Sequence, residues 1–169
     1  MSKKFYIKAI QPQDLATIQT IQQAAYPPYF WEDDEAFMAK QQYAPNSCLL
    51  LHTAEQQTVA YVFAHPWPIG QIPALNQPLQ FTQDTKQVLY IHDLAVAPQW
   101  HGQGLASVLI HHLENYANQY EWQQMALVAV QEAQSFWQRL GFMVNDVHDL
   151  AHKLTDYGQQ AVYMTKTLS

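Results

Sequence analysis

Apolar positions along this chain follow two periods, and the period in each stretch predicts the element. Phe5 to Ile10 reads as a short first strand. Pro12 and Asp14 then open a helix that carries Leu15, Ile18, Ile21 and Ala25 at helical spacing. Tyr26-Pro27-Pro28-Tyr29-Phe30 breaks that helix, and residues 31–43 predict a second one. Acids Glu32, Asp33, Asp34 and Glu35 crowd its first turn, where the helix dipole favours negative charge. Ser47 to Thr53 and Thr58 to His65 predict an antiparallel pair joined around Glu55-Gln56-Gln57.

Residues 66–86 break the pattern. Pro66, Pro68, Pro73 and Pro78 punctuate a stretch without a period, and a connection this long in a compact domain usually has a use. The periodicity returns with a strand over Val88–Val96 and a helix from about 103 to 119. That helix is expected to turn Leu105, Val108, Leu109, His112 and Tyr116 to one face. Met125–Val130 predicts a buried strand, Ala133–Leu140 a short helix closed by Gly141, and Val144–Val147 and Ala161–Thr167 two last strands. Strand, glycine turn, helix, strand, helix argues for an α/β sheet, which the N-terminal hairpin makes mixed. One domain over residues 1–169 accounts for the whole pattern.

Composition removes several function classes. Fourteen acids against eight bases give a net charge of −6, and Arg139 is the only arginine, so no basic cluster exists to neutralise a nucleic acid. Lone Cys48 excludes a disulfide framework and a cysteine-based zinc site, and it reads as buried and inert. No apolar run approaches the ~20 residues needed to span a membrane. The N-terminus does not read as a signal peptide, because Lys8 interrupts its short apolar run. The expectation is a cytoplasmic protein without a membrane partner. His111 and His112 would diverge on a helix, and His148 with His152 has no evident further ligands, so no metal is expected.

The glycines direct attention to one segment. There are five in the chain, and Gly102 and Gly104 stand two residues apart between the strand ending at Val96 and the next helix. A strand running through a glycine turn into a helix aims backbone N–H groups and the positive end of a helix at one point, which suits a phosphate. The segment has no Gly-Lys-Ser/Thr for a P-loop, and Ser107 stands where a dinucleotide fold needs a third glycine. A plain strand-to-helix turn remains the alternative.

Gln99-x-x-Gly102-x-Gly104, preceded by Leu94-Ala95-Val96-x-Pro98, resembles the acetyl-CoA motif of the GNAT acyltransferase superfamily. Phe136-Trp137 followed by Gly141-Phe142 is similar to that family's second signature, and Ile7 to Ile10 followed by Asp14 to its opening. The order of elements agrees from residue 5 to 167. The resemblance implies a single GNAT-like α/β domain, with six to seven strands, about four helices and a splay between the fourth and fifth strands. It implies acetyl-CoA as co-substrate and no metal. The pyrophosphate would rest on the backbone of His101, Gly102, Gln103, Gly104, Leu105 and Ala106, with Gln99 and Ser107 completing the cofactor-binding set. The pantetheine would run along Leu94, Ala95 and Val96, with Trp137 at the thioester.

An acceptor amine must lose a proton before it attacks. His92 is the expected base, because its ordinary pKa of ~6.5 suits the task and alternation lets only one of His92 and Asp93 face the cleft. The run Tyr90 to Val96 also resembles the serotonin-type arylalkylamine branch, which implies the same role for His92. Asp93 is the second candidate, and a hydrogen-bonded core histidine is the alternative for His92. Trp137 stands where many members carry a tyrosine acid, so Tyr157 is the candidate substitute. His101 and Val130 depart from the family's usual arginine and asparagine.

Tyr26, Tyr29, Phe30 and Trp31 are expected to form the acceptor wall, with Trp67 and its proline-rich surroundings either covering the cleft or forming a rigid surface loop. Aromatics beside acids suit an amine with an apolar body or a second positive charge. The expected reaction is acetyl transfer to a small-molecule primary amine. Acetylation of a protein N-terminus or lysine, and a CoA-binding module without catalysis, are the alternatives. A homodimer stays open.

Overall fold

The computed structural model describes residues 4–81, 87–146, 150, 154, 157, 158 and 160–168. Its elements run β1 (Phe5–Ala9), α1 (Leu15–Ala25), α2 (Asp34–Tyr43), β2 (Cys48–Thr53), β3 (Thr58–Pro68), β4 (Gln87–Val96), α3 (Leu105–Gln119), β5 (Gln124–Ala129), α4 (Gln134–Arg139), β6 (Met143–Val144) and β7 (Val162–Thr167). Short 3-10 turns at Pro12–Asp14, Pro28–Phe30 and Pro98–Trp100 each begin on a proline, whose fixed φ suits a first turn.

The seven strands form one sheet in the order β1-β2-β3-β4-β5-β7-β6. Only β4 and β5 are parallel neighbours. Their pairing covers Leu89–Ile91 against Met125–Leu127 and stops there. Yet β4 stays paired with β3 through Val96, and β5 stays paired with β7 through Ala129. The two strands therefore diverge beyond Ile91 and Leu127, which is the expected splay. Consecutive residues of β2 and β3 are buried, as they must be when helices cover both faces.

Three local outcomes differ from the sequence expectation. The buried face of α3 is Leu105, Leu109, Ile110, Leu113 and Ala117, while Val108 and His112 are exposed, so the apolar stripe lies one position around from the face expected. β3 continues through Pro66 and Pro68. β2 ends opposite Phe63, so the missing proline N–H groups fall on an edge with no strand to bond. Helix α2 starts at Asp34, with Asp33 as its cap accepting from Ala36 N at 3.1 Å, which leaves Glu32 outside the helix.

Gly141 fulfils its expectation. At φ +96° it lets Gly141 N donate to Gln138 O and Phe142 N to Trp137 O, the paired bonds of a left-handed helix end. His148, His152 and the end of the Val144–Val147 strand lie outside the described residues.

Candidate active site

The splay opens a cavity of about 180 Å³ between β4 and β5. Leu94, Val130 and Trp137 line it together with Tyr26, Phe30, Leu75, Tyr157, His92, Asp93 and Glu32.

A β-bulge in β4 decides how His92 and Asp93 sit. Phe63 of β3 pairs with Asp93 and Ala64 with Ile91, so His92 is the extra residue. A bulge breaks the period of two. The expectation that only one of the two side chains faces the cleft is therefore corrected, since both line the cavity.

They sit there differently. The His92 side chain is 1% exposed, and both its nitrogens face partners: Nε2 lies 3.1 Å from Glu32 Oε1 and Nδ1 lies 3.2 Å from His65 Nε2. His65 Nδ1 lies 3.0 Å from the Pro66 carbonyl, which can only accept, so Nδ1 carries the proton and His65 Nε2 accepts from His92. The contact with Glu32 is close but poorly aligned for a hydrogen bond. Burial lowers the His92 pKa, and the Glu32 charge only partly offsets this.

Among the described residues, the Tyr61 hydroxyl donates to Asp93 Oδ2 at 2.9 Å, and the Leu94 backbone also bonds the carboxyl. Burial, and after it the Glu32 charge, raise its pKa to about 7, with the Tyr61 bond and Lys40 acting against them. A carboxyl tuned to neutrality in a cavity wall suits proton transfer near pH 7.

Glu32 is the residue whose place the sequence did not reveal. It is 2% exposed. The buried Gln22 side chain clamps its backbone at both ends, accepting from Glu32 N at 2.8 Å and donating to Glu32 O at 2.9 Å. Oε2 accepts from Lys40 Nζ at 2.8 Å and from Asn76 N at 3.2 Å. Burial alone would raise its pKa, yet His92 and Lys40 together hold it down at about 2. A signal for Lys40 was available: it stands one turn after Ala36 and Phe37, on the buried face of α2. Among the described residues, no three such groups converge as metal ligands would.

The glycine turn has the expected form. Gly102 and Gly104 sit at φ +81° and +73°, and an added Cβ at either meets nothing within 4 Å. Both are glycine for backbone conformation, and the space beside them is open to a phosphate. Gly104 precedes the first turn of α3 with no side chain capping it. Leu105 has its side chain in the core, so only its backbone can meet a ligand, whereas Ala106 and Ser107 are half-buried. His101 and Gln103 are exposed, and His101 Nε2 donates to the Val96 carbonyl at 2.9 Å. The Leu94 carbonyl accepts from the Tyr26 hydroxyl. This edge of β4 is thus met by side chains where no strand lies. Ala95 is buried, and Gln99 is exposed beside a groove lined by Thr20 and Ala24.

The acceptor side is partly corrected. Of the five aromatics expected there, Tyr26 and Phe30 line the cavity. Tyr29 is 64% exposed, and Trp31 faces an outer groove while donating to Tyr26 O at 2.7 Å. The tight 3-10 turn at Pro28–Phe30 points successive side chains in different directions. Trp67 packs edge-on to His65 and Phe81, away from the cavity. Tyr157 lines the cavity, but its hydroxyl donates to Pro73 O at 2.6 Å. That proton is already engaged in anchoring the β3–β4 connection.

A mixed sheet split at its one parallel junction, with a phosphate-ready glycine turn at the split, defines an acyl-CoA-binding α/β architecture. The chain belongs to the acetyltransferase (GNAT) family, whose sequence model matches residues 15–142. Acetyl-CoA is the acyl donor of this family. A comparison with curated proteins finds no match. Solved structures share the fold. The loading GNATL domain of CurA from Lyngbya majuscula aligns at TM-score 0.78 and 13% identity, covering 97% of this chain and 98% of that one. The ribosomal-protein-S18-alanine N-acetyltransferase from Escherichia coli aligns at 0.70 and 18%, covering 98% and 95%. Arabidopsis thaliana Naa50, in complex with a bisubstrate analogue, aligns at 0.70 and 13%, covering 97% and 99%. Among the described residues no helix is long and apolar enough to cross a membrane.

Proposed function

We propose that this protein transfers acetyl from acetyl-CoA to the primary amine of a small molecule. The observation that carries the small acceptor is the fixed course of residues 70–76 in the β3–β4 connection. Gly70 N donates to the Tyr163 hydroxyl at 3.1 Å, Pro73 O accepts from Tyr157, and Asn76 both donates to Glu32 and accepts from Asp33 N at 2.9 Å. Ile72 and Leu75 pack with Phe30 and Tyr157 beneath it. Residues 70–76, tied down in this way, hold Leu75 in the cavity wall and favour a small amine.

Asp93 takes the amine proton in this reading. His92 has both nitrogens facing other side chains, whereas Asp93 lines the cavity with the Tyr61 hydroxyl bonded to its Oδ2. The neutral amine attacks the thioester carbonyl, the new C–N bond replaces the C–S bond, and the CoA thiolate leaves and takes up the second proton that the nitrogen sheds as it becomes an amide. Backbone N–H groups near Val96 steady the oxyanion. Trp137 has no acidic proton, and a thiolate with an ordinary pKa of ~8.5 departs without one.

The test is CoA release from acetyl-CoA against primary amines of increasing size, with peptides carrying free N-termini in the same series. Turnover on small amines and little on peptides supports the reading. The reverse order overturns it, and stabilisation by acetyl-CoA with no turnover at all points to a binding module.

A further inference from the structure

The buried carboxylate of Glu32 joins three separate parts of the acceptor wall: His92 at the β4 bulge, Lys40 on α2 and Asn76 in the β3–β4 connection. The Gln22 side chain grips the Glu32 backbone from both sides, and its amide also donates to Gln19 Oε1 at 2.9 Å. A salt bridge kept only for stability would not need burial at 0% and 1% exposure, where desolvation offsets most of the attraction. Nor would it need to open onto the reaction cavity, as Glu32 does.

We propose that Glu32 and Lys40 are positioning residues for acetyl transfer, fixing His92 and the β3–β4 connection and setting the charge felt by Asp93 from opposite signs. This rests on the reading of Asp93 as the base. The groups acting on Asp93 are Tyr61 of β3, Glu32, Lys40 of α2, Tyr26 at the end of α1 and the Leu94 backbone. Tyr61 and Tyr26 stay neutral, because burial raises both phenols. Glu32 and Lys40 are therefore the fixed charges, and they act oppositely: the carboxylate disfavours a second negative charge on Asp93 and the ammonium favours it.

Opposite signs give a signature that a purely structural pair lacks. Activity rises with pH as Asp93 loses its proton, which gives kcat/KM an acid limb. Measured with one amine, the substrate's own ionisation is common to every variant. Glu32→Gln should move that limb down by about one pH unit, and Lys40→Met should move it up by about as much. Glu32→Gln with Lys40→Met should bring it back near the original position. Stabilisation by acetyl-CoA in thermal melts verifies that each variant is folded. Where a single variant does not fold, the other single and the double variant still carry the comparison.

Asp93→Asn separates the two claims. If it abolishes the limb while Glu32→Gln and Lys40→Met leave the limb in place, the positioning role is overturned and the base stands. If the limb survives in Asp93→Asn, Asp93 is not the base and both readings fall.

Discussion

Lys40 Nζ lies 2.8 Å from Glu32 Oε2 with both side chains out of water. Breaking such a pair leaves an uncompensated buried charge, so Lys40→Met should lower unfolding free energy by about 3–5 kcal/mol. Replacing both residues, Glu32→Gln with Lys40→Met, should cost much less. Urea denaturation of both variants beside the wild type measures this, and equal losses in the single and the double variant would contradict the pairing.

The same pair shapes acid stability. The Glu32 pKa is lowered from 4.5 to about 2 because His92 and Lys40 outweigh burial. A carboxyl depressed on folding stabilises above its unfolded pKa, and that contribution disappears as pH falls through the folded value. The wild type should therefore lose stability between about pH 4.5 and about pH 2 more steeply than the double variant, as read from urea midpoints across that window.

Asp93 behaves in the opposite sense. Its pKa rises on folding from 3.8 to about 7, so the folded state gains relative stability at low pH and loses it as pH climbs through that range. Asp93→Asn removes the buried charge. It should melt no lower than wild type at pH 8, with any advantage fading toward pH 5, while turnover is lost. Melting curves at the two pH values check the sign.

Gly102 and Gly104 make a claim about affinity rather than fold. Alanine at either must hold a left-handed φ at a cost of about 1–2 kcal/mol. It also places a methyl where the phosphate would rest. Gly102→Ala and Gly104→Ala should melt only a few degrees lower but raise the KM for acetyl-CoA tenfold or more, with the amine KM unchanged.

Tyr157→Phe separates an anchor from an acid. Removing the hydroxyl frees Pro73 O and loosens the connection over the acceptor. The amine KM should rise and larger amines should become substrates, with the alkaline side of the pH profile unmoved. Loss of an alkaline limb would restore Tyr157 as the proton donor.

Local signals carried most of the fold. The two glycines, the proline turns and the helical spacing of Leu15, Ile18 and Ile21 each state a backbone preference that neighbours alone decide. The form of the glycine turn was legible, because the left-handed φ at Gly102 and Gly104 is a local backbone property. The site was hidden where it depends on long-range pairing. One extra residue opposite Phe63 and Ala64 turned both His92 and Asp93 to the cavity, and no period within β4 reveals that. Glu32 stands in a run of four acids, and nothing nearby distinguishes the one that enters the core to meet Lys40 from the three that meet water. The aromatic wall failed for a related reason, because a 3-10 turn distributes Tyr29, Phe30 and Trp31 over different directions.

The most direct measurement is kcat/KM for the best small primary amine, set against a peptide that presents that same amine at its N-terminus. The reacting nitrogen is then identical and only the body behind it differs. The acceptor chamber walled by Phe30, Leu75 and Tyr157 predicts at least a tenfold preference for the small amine; a preference for the peptide would contradict it.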